Sequence, residues 1–170
     1  MYSSFPSILV DRPASGVLRL TLNKPDRLNA LDADGHRELA DIWRTVDRDK
    51  DALAVLLCAN GKAFSAGGDV EVVSKLTQSF EERANMWREA RDLVYNIINC
   101  SKPIVSAIQG SAVGAGLAAA LVADISIAAK NAKLIDGHVR LGVAAGDHAA
   151  IIWPLLCGMA SVLNQKFATL

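Results

Sequence analysis

Charge of either sign is in no excess in this 170-residue chain: 18 lysines and arginines face 18 aspartates and glutamates. A nucleic-acid binder normally carries a basic stripe, and the sequence offers none to support that class. Cysteine is scarce as well. Cys58, Cys100 and Cys157 are odd in number, widely spaced and set among apolar residues. They form neither a disulfide framework nor a zinc-ligand spacing, which points to a reducing compartment and to buried structural thiols. Long hydrophobic runs are missing: the longest, Val113 to Ala123, is too short to span a bilayer and contains glycines. The N-terminus carries Pro6 and Pro13 and lacks the basic-then-apolar pattern of a signal peptide. Together these absences predict a cytoplasmic protein that engages neither membrane nor nucleic acid. What the chain does have is apolar content, 51% of its residues, which excludes a disordered chain. Its length fits a single domain, residues 1–170, able to bury a substantial core.

The periodicity of that apolar content changes along the chain. Val17 to Asn23 alternates with period two, as a half-buried strand does. From Leu31 to Val46 the pattern becomes helical, with Leu39, Ile42, Trp43 and Val46 on one face. His36 falls on that helix beside charged residues and is expected at the surface. Ala54 to Ala59 is continuously apolar, as in a strand buried on both faces. Phe80 to Ile98 is amphipathic, setting Trp87, Val94, Ile97 and Ile98 against Glu81, Glu82, Arg88 and Arg91. Pro103 then opens a strand from Ile104 to Gln109. A helix over Leu117 to Val122, a strand over Asp124 to Ala128 and a helix over Ala149 to Leu156, interrupted or kinked at Pro154, complete the series. Strands alternating with helices imply an α/β fold with crossover connections.

Two glycine-bearing turns stand out. Ala107-Ile-Gln-Gly-Ser-Ala-Val-Gly-Ala-Gly-Leu117 lies between an apolar strand and an alanine-rich helix, and Lys62-Ala-Phe-Ser-Ala-Gly-Gly-Asp69 offers a possible partner. Glycine permits positive φ and close approach of a ligand to the backbone. The first amides of a helix lack intrahelical acceptors and can meet negative charge, including charge that develops only in a transition state. The same glycines could also serve only to make tight turns. G-x-G-x-x-G and its downstream acidic ribose partner do not occur in strand–turn–helix context, which argues against a Rossmann nucleotide site.

Four segments in order resemble the crotonase superfamily, the enoyl-CoA hydratase/isomerase family. They are N-K-P-D-R-L-N-A-L (Asn23 to Leu31), K-A-F-S-A-G-G-D-V (Lys62 to Val70), K-P-I-V-S-A-I-Q-G-S-A-V-G-A-G (Lys102 to Gly116), and A-D-I-S-I-A (Ala123 to Ala128) with R-L-G-V (Arg140 to Val143). The resemblance runs from about Val17 to about Ala160. It implies a crotonase-like spiral of ββα/βαβ units and an acyl-CoA substrate. It also implies an oxyanion hole made by the backbone amides of Gly68 and Ala115. Coenzyme A enters as part of the substrate, so no separate cofactor and no metal is implied. The nucleotide would lie against Arg27, Leu28 and Ala30 and against Ala66, Asp69 and Val70. Arg27 and Lys62 either meet phosphate or are solvated surface charges. A homotrimer or hexamer is the family-like assembly.

Departures from the family pattern are equally informative. The hydratase branch uses two glutamates, and the corresponding positions here are Ala118 and His138. An alanine cannot hold or transfer a proton, so the usual glutamate pair is not available at these positions. The nearby polar residues are Asp136, His138, Arg140, Asp147 and His148. His138, whose imidazole titrates near neutral pH, and Asp147 are the candidate acid/base groups. His138 could equally be a hydrogen-bonded structural histidine. The resemblance fades after Gly158-Met-Ala160, so the domain reads as C-terminally truncated relative to the family. Two functions follow: a thioester-processing lyase or isomerase, or a catalytically silent CoA-binding or assembly subunit.

Overall fold

The computed structural model describes residues 1–138, 142, 144 and 148–159, the side chains at 70, 73, 77, 148 and 149 excepted. Seven strands occur in that portion: β1 (Ile8–Ala14), β2 (Val17–Leu22), β3 (Ala54–Ala59), β4 (Ile104–Ile108), β5 (Ser111–Val113), β6 (Ile125–Ala128) and β7 (Lys133–Ile135). The helices are α1 (Ala33–Arg48), α2 (Val70–Gln78), α3 (Phe80–Ile98), α4 (Gly114–Val122) and α5 (Trp153–Cys157). β1 and β2 form an antiparallel hairpin, and the remaining members of a sheet ordered β1-β2-β3-β4-β6 run parallel. β5 and β7 make a second, short parallel sheet. Parallel neighbours require crossovers, and α1, α2 with α3, and α4 supply them.

The core forms where α1 covers the centre of the main sheet. Leu18 and Leu20 of β2, Val55 and Leu57 of β3, and Leu39, Ile42, Trp43 and Val46 of α1 are all buried. Spacing of three and four residues stacks the α1 side chains on one face. Asp32 starts that helix by accepting a hydrogen bond from the Gly35 amide at 2.9 Å. Capping satisfies one of the helix's orphan donors. α4 is built from small residues because it lies close to the sheet. The Ser106 hydroxyl, buried on β4, donates to the Ala120 carbonyl at 2.7 Å.

Several expectations need correction. His36 is not at the surface: it is 5% exposed, and its Nδ1 lies 2.9 Å from the Glu89 carboxylate on α3. The charged neighbours that suggested a surface position belong to adjoining faces of the helix, whereas Glu89 comes from 53 residues away. Trp87 and Ile98 are 64% and 61% exposed, because α3 buries only Leu93 and Ile97. β3 fully buries only Val55 and Leu57, on one face; Ala54, Leu56 and Cys58 on the other, and Ala59 at its end, are half-buried. Cys157 is exposed, while Cys58 and Cys100 are half-buried. The helix expected over Ala149 to Leu156 is a π-helical turn, His148–Ile152, followed by α5. Pro154 falls in the first turn of α5, where its missing N–H costs nothing.

Candidate active site at two glycine turns

The segment that follows β3 and the segment that follows β4 run side by side. The amides of Phe64 and Ser65 share the Ser111 carbonyl at 2.9 and 3.1 Å, and the Val113 amide donates to the Ser65 carbonyl at 3.0 Å. This parallel bridge delivers both chains to their glycines together. Gly67 has φ of 83° and Gly114 has φ of 58°, both in the left-handed region. A Cβ on Gly114 would stand 3.1 Å from the Gly67 Cα and 3.7 Å from the Gly68 nitrogen. The two turns therefore touch backbone to backbone, and even a methyl group between them would be crowded.

The direction of the Gly68 amide follows from its neighbours. The Leu31 amide donates to the Gly67 carbonyl at 2.8 Å, and the Asp69 amide donates to the Leu31 carbonyl at 2.9 Å. A trans peptide points its C=O and N–H in opposite directions. With the Gly67 carbonyl drawn toward Leu31, the Gly68 N–H faces away from Leu31. Ala115 reaches a comparable state by another route. It is the second residue of α4, whose N-cap Val113 offers no side-chain hydrogen bond, so its amide has no intrahelical acceptor. Among the described residues neither the Gly68 nor the Ala115 amide finds an acceptor.

The residues expected near the CoA nucleotide form one surface. Pro25–Arg27 is a single 3₁₀ turn, followed by Leu28 and Asn29 at φ of 53° and 55°. Leu28 is partly exposed, Ala30 is half-buried, and the Ala66 amide donates to the Leu28 carbonyl at 2.9 Å. The Arg27 guanidinium pairs with the Asp69 carboxylate, which also caps α2 by accepting from the Glu71 amide at 3.2 Å. The backbone of Val70 begins α2. The two stretches are thus contiguous. Arg27 is already engaged with a carboxylate, and Lys62 is exposed.

The proton-moving candidates are placed unequally. Ala118 is 2% exposed inside α4. β7 pairs with β5 so that Ile135 stands beside Val113, and the residues after each strand leave the small sheet at the same end. A Cβ on Gly137 would lie 3.7 Å from Val113 Cγ1, which keeps the Asp136–His138 stretch next to the second turn. His138 Nδ1 faces the Asp136 carboxylate, and the His138 amide donates to that carboxylate at 3.1 Å. Asp147 and Arg140 lie outside the described residues, and of His148 only the backbone is described.

Three residues that hold this geometry carry no signal as chemistry in the sequence: Leu31, which acts through its backbone, and the buried Asn29 and Ser65. All three sit inside the glycine-turn and N-K-P motifs, so motif membership was the available clue.

The family model for Enoyl-CoA hydratase/isomerase matches residues 12–165. The chain belongs to the enoyl-CoA hydratase/isomerase family. It is 33% identical over 151 residues to the 1,2-epoxyphenylacetyl-CoA isomerase of Escherichia coli (strain K12), covering 88% of this chain and 58% of that protein. It is 29% identical over 171 residues to the mitochondrial Delta(3,5)-Delta(2,4)-dienoyl-CoA isomerase of Mus musculus, covering 95% of this chain and 52% of the relative. Among solved structures, an enoyl-CoA hydratase/isomerase from Mycobacterium paratuberculosis superposes with a TM-score of 0.88 at 34% identity, covering 96% of this chain and 66% of that one. The α/β crotonase-type fold is therefore shared. This family member spans little more than half the length of the two curated relatives. Among its described residues no helix is long and apolar enough to cross a membrane.

Proposed function

We propose that this chain forms the acyl-CoA-binding core of a thioester-processing enzyme, in which the amides of Gly68 and Ala115 donate hydrogen bonds to the thioester carbonyl oxygen. One observation carries the reading. The Gly67 carbonyl is held by Leu31, which leaves the Gly68 N–H aimed away from Leu31 beside the touching Gly114–Ala115 turn. Removing a proton from the carbon next to a thioester, or adding a nucleophile at the next carbon, puts negative charge on that oxygen. Donors fixed beforehand stabilise such an enolate without reorganising during the reaction, and loss of one donor typically costs about 100- to 1,000-fold in rate. Coenzyme A is part of the substrate and would rest on Arg27, Leu28, Ala30, Ala66, Asp69 and Val70. This reading assigns no metal and no redox cofactor.

The proton is moved by Asp147 or His138. The Asp136 carboxylate, facing Nδ1 of His138, would orient that imidazole for such a role. Double-bond migration, hydrolysis and decarboxylation all fit such a group. The competing reading, a silent CoA-binding or assembly subunit, is favoured by Ala118, which puts a methyl group where a hydratase keeps a carboxylate. The enzyme reading also carries a cytoplasmic location and a family-like homotrimer or hexamer.

Crotonyl-CoA turnover and acyl-CoA titration, run together on the wild type, His138→Ala and Asp147→Asn, separate these readings. Turnover that falls in one variant while binding persists supports the enzyme. Equal rates in all three proteins remove both acid/base assignments. Binding without turnover of any thioester tested supports the silent form, and failure to bind removes both readings.

A further inference from the structure

We propose that Ser65, itself fixed by Asn29, is a positioning residue that sets the aim of the Gly68 amide; this rests on the assignment of that amide to the thioester oxygen. Ser65 is fully buried, and its hydroxyl makes two hydrogen bonds of opposite sense. It donates to the Asn29 carbonyl at 3.0 Å and accepts from the Gly67 amide at 3.1 Å. Gly67 is therefore gripped at both of its peptide groups: its N–H by Ser65 and its C=O by Leu31. Glycine alone resists rotation poorly. With both ends held, the peptide that carries the Gly68 N–H has little freedom left.

Asn29 anchors this arrangement. It is 2% exposed and sits in the left-handed region, which asparagine tolerates better than most residues. Its Nδ2 donates to the carbonyls of Asn60 and Ala63 at 2.8 and 2.9 Å, and its Oδ1 accepts from the Lys24 amide at 2.8 Å. One side chain thus binds the loop before α1 to the loop after β3. Its own carbonyl is then in place to receive the Ser65 proton. From the other side, α4 closes on Ser65: a Cβ on Gly116 would fall 2.4 Å from the Ser65 Cβ and 2.5 Å from its Oγ. Ser65 consequently contacts both turns, hydrogen-bonded to the first and packed against the helix that begins at the second. It couples the surface expected to take the CoA nucleotide to the amide expected to take the thioester.

The test reads the thioester carbonyl itself. Difference infrared spectra of [1-¹³C]butyryl-CoA bound to the full chain report how strongly its C=O is polarised, without requiring turnover. Wild type is expected to shift the stretch to lower frequency. Ser65→Ala is expected to lose most of that shift while butyryl-CoA still binds, because the nucleotide contacts remain. Wherever turnover is measurable, kcat should fall about 10- to 100-fold with KM nearly unchanged, as expected for a donor left slightly misplaced. A Ser65→Ala protein that is folded, binds the probe and keeps the full shift overturns the proposal while leaving the amide assignment standing. Wild type that binds with no shift overturns both. Asn29→Gly keeps the left-handed backbone and the Ser65 hydroxyl but cuts the three anchoring bonds, so it carries the same test where Ser65→Ala does not fold. A smaller loss of shift is expected there, and an unchanged shift again overturns the proposal.

Discussion

At the first turn Gly67 is held by hydrogen bonds on both of its peptides, by Leu31 at the Gly67–Gly68 carbonyl and by Ser65 at the preceding N–H. At the second, the peptide between Gly114 and Ala115 is held by contact: Gly114 rests on Gly67, and Gly116 rests on Ser65. The first turn depends on groups that are present, the second on side chains that are absent. A hydrogen-bonded peptide keeps its direction even where some space surrounds it. A peptide held by packing keeps its direction only while nothing larger than hydrogen occupies the glycine positions. The two turns should therefore fail in different ways when altered.

The harshest challenge is Gly110→Ala, at the head of the second segment. The new Cβ would stand 1.9 Å from the Lys62 carbonyl oxygen at a residue with φ of 60°. Backbone cannot retreat as a flexible side chain can, so a loss of about 3 kcal/mol or more is expected, or failure to fold, read by urea denaturation. Gly114→Ala and Gly67→Ala then form a pair. Both need a left-handed alanine, but the Gly114 Cβ meets backbone at 3.1 Å and the Gly67 Cβ at 3.4 Å. About 2–3 kcal/mol is expected for Gly114→Ala and about 1–2 kcal/mol for Gly67→Ala. Equal losses in the same denaturation assay would break the distinction between the turns.

Gly116→Ala comes next. Its Cβ would overlap Ser65, although alanine favours the helix by about 1 kcal/mol over glycine. A net loss of about 2 kcal/mol is expected, and combining it with Ser65→Gly, which removes the Cβ it would meet, should recover part of it in a double-mutant cycle. Asp69→Ala, which removes the cap of α2 just beyond the first turn, should cost about 1 kcal/mol, seen as a small drop in Tm. The smallest effect concerns acid. Asp32 follows Leu31 directly, and its partner Lys24, together with the Gly35 amide, holds its carboxyl below the usual carboxylate range. A depressed folded-state value means that its contribution is present above the unfolded value and is lost as pH falls through the folded one. Wild-type stability should therefore decline on acidification more steeply than that of Asp32→Asn, as compared by denaturation across acidic pH.

Much of the fold is legible in the sequence because burial imposes a period. The alternation of β2, the helical stripe Leu39, Ile42, Trp43 and Val46, and the apolar run of β3 each correspond to an element with buried residues. β1 escapes notice because it is mostly exposed and contains Arg12 and Pro13. α3 keeps an amphipathic pattern yet buries only Leu93 and Ile97, since neighbours, not periodicity, decide which apolar residues are covered. His36 goes the other way, buried through a carboxylate far along the chain. Around the candidate site the glycines are legible because a missing side chain is visible in the sequence. The Leu31 clamp is not, because any residue but proline supplies the same N–H.

Were every position of this chain randomised and scored for function, Ala115 should tolerate small substitutions, since no side chain there makes the amide. Intolerance would gather one to three residues from the two donors Gly68 and Ala115, at Gly67, Gly114, Gly116 and Ser65, where the backbone is forced into place.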